Sequence, residues 1–386
     1  MSGASLTALC GARIFTGHAM LVRHAVLFGH GTIVDVMAEA KVPGDAQRIE
    51  LGDRIVAPGF IDLQVNGGGD VLFGAEPTVS TLTRIGAAHA RFGTTRFLPT
   101  VITGPRAIMH AARAAVAAAL GDGRSGVLGV HFEGPFLNPD KRGVHDAVHI
   151  RTPDDADREC IAAPGIGIVL ATLAPEAVPP GFIAGLSQGG VHVAAGHTNA
   201  SVEVLRRARA EGLTLYTHLY NAMSQLTARA PGVVGMALVD ADAWCSVIAD
   251  GHHLHEVSLA LAWRAKPPGK LLLVSDAMPP VGGTQRTFTL DDRPIHVADG
   301  RCVTADGVLA GSAIGLSDAV RYCVQQIGIP LDEALRMAST YVADYLGRGD
   351  LGRIAPGACA DLVMLDDDIK VIATLRDGAL AHGAFP

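Results

Sequence analysis

What this sequence lacks narrows its reading before any motif is considered. Its six cysteines (Cys10, Cys160, Cys245, Cys302, Cys323 and Cys359) are scattered, with no Cys-x-x-Cys pair. That argues against a zinc ribbon or a disulfide scaffold and predicts buried free thiols in a reducing cytosol. The opening segment from Met1 to Phe15 has no basic stretch leading into an apolar run, so no signal peptide is expected. No uninterrupted apolar stretch reaches the ~18 residues of a transmembrane helix. A soluble cytoplasmic protein is the expectation. Basic residues are not in surplus either: 38 acidic against 31 basic side chains give a formal charge of -7. Nothing global recruits nucleic acid or an anionic membrane, and any anionic ligand must be held by local groups. Charged residues make up only 18%, whereas hydrophobic residues reach 49%, which excludes a disordered chain. The glycine-rich run Asn66–Asp70 has neither the Gly-x-Gly-x-x-Gly nor the Walker spacing, so it reads as a tight turn.

The pattern that is present divides the chain. Residues 1 to about 56 read as short strands broken by glycine, and residues 357–386 read the same way. Both ends are β-rich and the middle is not, so the two ends are expected to pair into one small β-sandwich. Residues 57–356 alternate apolar strand-like runs with helical patterns, the signature of βα units. Eight strands are expected, at 60–65, 94–98, 127–132, 166–172, 191–195, 213–217, 245–249 and 271–275. Helices are expected between them, including 78–91, 106–120, 201–211 and 255–265. The fold class is α/β, a (β/α)8 TIM-type barrel carrying the sandwich. An open doubly wound sheet would give a similar pattern, and the polar residues decide between the two.

Glu133, His197, His218 and Asp276 each follow an apolar run, at the ends of the third, fifth, sixth and eighth strands. Barrel enzymes carry their catalytic groups at the C-terminal ends of strands, and a closed barrel brings four such ends to one axis. Two imidazoles and a carboxylate suit a catalytic divalent metal, because three protein ligands leave a position open for water. Such a metal lowers the pKa of water toward ~7. Asp276 is then the proton handler, which amide hydrolysis needs because an unprotonated nitrogen leaves poorly. His131 and His192 lie within strands and read as structural. Arg206, Arg207 and Arg209 read as a solvated helix face.

The runs PGFIDLQVNGGGD (58–70), HFEGPFLNPDKRGVHD (131–146), AAGHTNA (194–200), THLYNAMSQL (217–226), ADGHHLH (249–255), LVSDA (273–277) and LAGS (309–312) resemble the signature blocks of the N-acetylglucosamine-6-phosphate deacetylase family. The order and spacing are kept over nearly the whole chain. The resemblance implies a hydrolase that removes acetate from N-acetylglucosamine 6-phosphate in amino-sugar catabolism and cell-wall sugar recycling, and a homodimer. It implies that Glu133, His197 and His218 hold the metal, that Asp276 is the general acid/base, and that His145 contacts the substrate and polarises the acetyl carbonyl. Substrate positions follow at Val144, His145, Asn221, Ala222, Asp250, Gly251, His252, His253, Leu309, Ala310 and Gly311. Arg229 matches a phosphate contact, with Arg229 and His253 acting across the dimer.

One departure from the wider superfamily is informative. Gln64-Val65-Asn66 stands where many members have His-x-His, and the fourth strand lacks the bridging lysine of two-metal relatives. Gln64 is therefore a vestigial metal position, and one divalent metal per subunit is expected. Zinc is the first choice; iron, cobalt and manganese suit the same donors. The same absences weigh against a cyclic-amide hydrolase of the dihydroorotase or hydantoinase type. A non-catalytic barrel scaffold would be expected to lose ligands or the acid/base, and all four are present.

Overall fold

The computed structural model describes residues 6–122, 125–298 and 300–385. Residues 1–5 and 386, at the outer ends of the expected sandwich segments, lie outside the described residues.

Eight strands form one sheet in chain order: β1 Phe60–Val65, β2 Thr94–Ile102, β3 Gly129–Glu133, β4 Ile168–Leu173, β5 His192–Ala195, β6 Leu213–Tyr216, β7 Trp244–Val247 and β8 Leu271–Leu273. Neighbours from β2 through β8 pair in parallel. A parallel bridge from Val65 to Ala277, just beyond β8, brings the last strand back to the first. This is a (β/α)8 barrel. Its strands are largely buried on both faces, as every residue of β1, β3 and β8 illustrates, which is why they read as mostly apolar runs.

Helices follow the strands at Val79–Ala90, Arg106–Asp122, Asp155–Ala162, Phe182–Gln188, Val202–Ala210, Gly232–Val239, Glu256–Ala265 and Leu316–Tyr322. Local chemistry starts several of them. Asp154 and Asp157 form a reciprocal capping box for Asp155–Ala162, and the Ser201 hydroxyl accepts from the Val204 N–H at the head of Val202–Ala210. In that helix Leu205 and Ala208 face inward while Arg206 and Arg207 are exposed, as expected of a solvated face. Arg209, on the same helix, instead pairs with Asp240 at 2.6 Å.

Between β8 and the helix Leu316–Tyr322 lies an element that the sequence pattern did not announce. Strands β9 Thr287–Leu290, β10 Arg293–Ala298, β11 Arg301–Val303 and β12 Leu309–Ser312 form an antiparallel sheet. Phe288, Leu290, Ile295, Cys302 and Ala310 pack with Met278 as its core.

The chain ends build the other part. Strands Ala379–Gly383, Val371–Arg376, Leu362–Leu365, Ile55–Pro58, Arg13–Phe15 and Met20–Leu21 lie side by side in that order. The join between the termini is antiparallel, Leu362 opposite Pro58 and Leu365 opposite Ile55. A second sheet contains Thr32–Ala38, His24–Gly29, Thr7–Cys10 and Gln47–Glu50. Leu9, Ile14, Val26, Phe28, Val56, Leu362 and Met364 share one core, giving the small β-sandwich built from both termini. In the same compact unit, Arg96 holds Asp361 through Nε at 2.6 Å and Asp377 through Nη2 at 2.5 Å.

Candidate active site

All the groups that follow belong to the compact unit containing residues 63–85 and 97–314. Glu133 is the last residue of β3, and His197, His218 and Asp276 lie two or three residues beyond β5, β6 and β8. The three residues beyond the strands have positive φ, 50°, 33° and 51° respectively. Non-glycine residues pay for that conformation, so the neighbouring contacts must hold it. His218 is fixed by its own N–H donating to Ser246 Oγ at 2.9 Å. Asp276 is fixed by the Ser312 N–H donating to its carbonyl at 2.9 Å.

Glu133, His197 and His218 are buried and converge. His218 Nε2 is 2.9 Å and His197 Nε2 3.2 Å from Glu133 Oε1, and the two nitrogens are 3.1 Å apart. Tetrahedral ligands with zinc bonds of ~2.0–2.1 Å stand about 3.3 Å from one another, so these separations suit one cation. The His197 Nδ1 proton donates to the Lys141 carbonyl at 2.8 Å. That selects the tautomer whose Nε2 lone pair faces the cluster, the usual arrangement behind a metal-bound imidazole. Burial pushes the Glu133 carboxyl up, but its hydrogen bonds to His197 and His218 hold it well below the usual carboxylate range. The donor set therefore fits a divalent metal.

Gln64 and Asn66 complete this floor. Gln64 Nε2 donates to Glu133 Oε1 at 3.1 Å and to Asp276 Oδ1 at 3.0 Å. Asn66 Nδ2 donates to the same Asp276 oxygen at 2.7 Å. In the metal-free site burial, then the Glu133 charge, raises the Asp276 carboxyl to about 6. His145 is 3% exposed, and burial drives its imidazole down to about 3, so it is neutral. Its Nδ1 receives the Thr103 N–H at 3.4 Å and lies 2.8 Å from Thr103 Oγ1. With Nδ1 as acceptor, the ring proton sits on Nε2.

One cavity of about 490 Å³ takes in this cluster. His145, Val144, Asn221, Ala222, His253, Leu309, Ala310 and Gly311 line it with Glu133, His197, His218 and Asp276. Asp250, Gly251 and His252 do not reach its wall; the Asp250 carboxylate instead accepts from His253 Nδ1 at 2.7 Å and orients that ring. Arg229 is exposed and is not brought to the cavity within this chain. Gly311 has a φ of 67°, and a Cβ there would stand 2.6 Å from Met278 and 2.8 Å from the Asp276 carbonyl, so only glycine fits. His131, read as structural, bonds Thr100 and Thr172 within the barrel.

The sequence reading missed three contributors: Asn66, Thr103 and Lys141. For Asn66 a signal existed, since it stands two residues beyond Gln64 in an extended run, where alternate residues share a face. The other two act across 42 and 56 residues of chain, and no local pattern announces them. The Arg293 guanidinium, on the unanticipated sheet, donates to the Val144 carbonyl beside His145.

Residues 55–381 match the model of the amidohydrolase family, and residues 7–56 match the NagA composite domain. The chain is 39% identical to the N-acetylgalactosamine-6-phosphate deacetylase of Shewanella sp. (strain ANA-3), covering 97% of this chain and 95% of the relative. It is 32% identical to the N-acetylglucosamine-6-phosphate deacetylase of Haemophilus influenzae, covering 96% and 98%. Among solved structures, N-acetylglucosamine-6-phosphate deacetylase from Pasteurella multocida superposes with a TM-score of 0.94 at 34% identity, covering 97% of this chain and 99% of that one. No helix among the described residues is long and apolar enough to cross a membrane. Barrel, strand-end cluster and full-length similarity agree: this chain belongs to the amidohydrolase family of metal-dependent hydrolases, in the N-acetylglucosamine-6-phosphate deacetylase group.

Proposed function

We propose that this protein hydrolyses the acetamide of N-acetyl-D-glucosamine 6-phosphate to D-glucosamine 6-phosphate and acetate, serving amino-sugar catabolism and cell-wall sugar recycling. The observation that carries this reading is the convergence of Glu133, His197, His218, Asp276 and His145 on one cavity. Glu133, His197 and His218 would hold a single divalent cation, zinc as first choice, which would supply Lewis acidity for the attack of water on the carbonyl. Asp276 takes the proton of the attacking water and delivers it to the departing nitrogen. Its Oδ1 is occupied by the Gln64 and Asn66 amides, which fixes the plane of the carboxylate. His145 Nε2–H donates to the acetyl oxygen as charge develops there. Gln64 directs its amide nitrogen at Glu133 and Asp276, so the vestigial position offers a donor rather than a ligand, which supports one metal per subunit.

Asn221, Ala222, His253 and Leu309–Gly311 form the sugar side of the cavity, with Asp250 to His252 supporting His253. The phosphate falls to Arg229 of a neighbouring subunit in a homodimer, with His253, which lines the cavity of its own chain, completing the grip from within the subunit. An exposed guanidinium outside its own cavity suits that arrangement, because its fork gives two parallel hydrogen bonds to phosphate oxygens. Residues 57–356 form the catalytic barrel and residues 1–56 with 357–386 the β-sandwich domain. Location in the cytoplasm accords with six free cysteines.

The test is acetate release by metal-quantified protein from the glucosamine and galactosamine 6-phosphates, the two epimers named for its relatives. Efficient turnover of the glucosamine compound with about one metal equivalent per chain is expected. No acetate from either epimer overturns the reading.

A further inference from the structure

A second cavity, of about 190 Å³, adjoins the active-site cavity and is lined in part by the same residues: Asn66, Ile102, Met278 and Leu290. Its own wall adds Leu72 and Ile108 on the apolar side, with Thr103 beside the His145 ring. Asn66 and Thr103, which hold Asp276 and His145, both line it.

Its direction can be read from the proposed reaction, on which this inference rests. A planar amide carbonyl carbon has three substituents. The oxygen faces His145. The nitrogen carries the sugar, so it points toward Asn221, Ala222 and Leu309–Gly311. The acyl carbon is left to meet cavity residues that take neither role, and Asn66, Ile102, Met278 and Leu290 are the ones that line both cavities, Met278 and Leu290 also packing with Ala310. A volume of 190 Å³ equals about six water molecules at ~30 Å³ each, well beyond what a methyl group needs.

We infer that this side cavity is an acyl-chain pocket, and that the protein hydrolyses N-acyl hexosamine 6-phosphates whose straight-chain acyl group is longer than acetyl. The chemistry is unchanged. Water adds to the carbonyl carbon, the C–N bond breaks, the nitrogen leaves as the amine with a proton from Asp276, and the product is the longer carboxylate. Leu72, Ile102, Ile108, Met278 and Leu290 form the apolar part of a lining that also includes Thr100, Thr289 and Asp291, and burial against them favours each additional methylene.

Two glycines line the side cavity without lining the active-site cavity, Gly74 and Gly104. Neither has positive φ. A Cβ at Gly104 would meet Ile108 and Ile102 at ordinary distances of 3.6 and 3.7 Å, and one at Gly74 would meet nothing within 4 Å. Both positions have room for a side chain, so Gly104→Leu and Gly74→Leu are chosen to narrow the pocket at residues that the active-site cavity does not share, and either serves if the other folds poorly.

The experiment compares kcat/KM for the N-acetyl, N-propanoyl and N-butanoyl glucosamine 6-phosphates, with dissociation constants for the same compounds on Asp276→Asn protein. The wild-type protein is expected to hydrolyse the butanoyl compound within about tenfold of the acetyl compound, and a glycine-to-leucine variant to lower the butanoyl-to-acetyl ratio by about tenfold or more, in kcat/KM and in affinity alike. A wild-type butanoyl rate more than about tenfold below acetyl overturns the inference, because one or two excess methylenes are then being rejected. An equal loss on all three substrates in the leucine variants also overturns it, since the cavity would then be a route for solvent or departing acetate. Failure to hydrolyse the acetyl compound itself sinks the proposed reaction instead, which separates the two failures.

Discussion

Two buried clusters of charge in this chain obey opposite rules. In the terminal β-sandwich unit, Arg96 is 11% exposed and Asp361 4%, and each side chain finds its complement: Nε and Nη2 of the guanidinium reach Asp361, Nη2 also reaches Asp377, and the Asp377 N–H donates to Asp361. In the barrel, Glu133, His197 and His218 press three would-be metal ligands together, His218 Nδ1 and Asn66 Oδ1 have no partner among the described residues, and Asp276 is pushed up to about 6 by burial and by Glu133. Three of the barrel groups also sit at positive φ. The first cluster is arranged so that nothing more is needed. The second is arranged so that something is, and a cation and a substrate are what its donors fit. Satisfaction of buried polar groups, more than their burial, separates a structural ion pair from a reactive one.

The comparison breaks most sharply at the metal ligands. Alanine at Glu133, His197 or His218 is expected to abolish turnover and bound metal together, read by elemental analysis after gel filtration; a variant that keeps both removes that residue from the ligand set. Next comes Asp276→Asn, expected to retain metal while losing two to four decades of kcat, roughly the share of general acid–base catalysis. Turnover like wild type would move the proton transfer elsewhere. In the sandwich the same kind of change should strike stability and spare chemistry: Arg96→Ala leaves Asp361 buried without its partner and should cost about 3–5 kcal/mol in denaturant unfolding, with kcat of the folded fraction unchanged. A large loss of kcat with normal stability would make Arg96 part of the reactive machinery instead of a structural ion pair.

A smaller effect sharpens it. In metal-free protein, Asp276→Asn should not lower Tm and should raise it slightly, because an amide keeps the acceptor facing Gln64 and Asn66 while removing a buried negative charge beside Glu133. A clear fall in Tm would mean that the site is as well satisfied as the Arg96 cluster. The proposed sharing of the phosphate site has its own test. Arg229→Ala mixed with Asp276→Asn should restore up to one working site per heterodimer; subunit exchange without returning activity assigns the phosphate to one chain.

The eight barrel strands were legible because strands buried on both faces are mostly apolar, and their order along the chain is their order in the sheet. The strand-end residues Glu133, His197, His218 and Asp276 were legible for the same reason, each being a polar break at the end of such a run. The β9–β12 sheet was not: β9 reads Thr-Phe-Thr-Leu with alternate residues exposed, and so short an alternation does not stand out from a loop. Nor could the sequence bring Asn66 and Asp276 within 2.7 Å across 210 residues, or place Thr103 behind His145. By itself the sequence determined which side chains would stand at strand ends, because periodicity and burial are local properties of the chain. Only the tertiary structure decided which of them face one another, which amides hold the carboxylate, and that a second cavity lies beside the first, because hydrogen bonds and voids are set by distances in space that closure of the barrel creates.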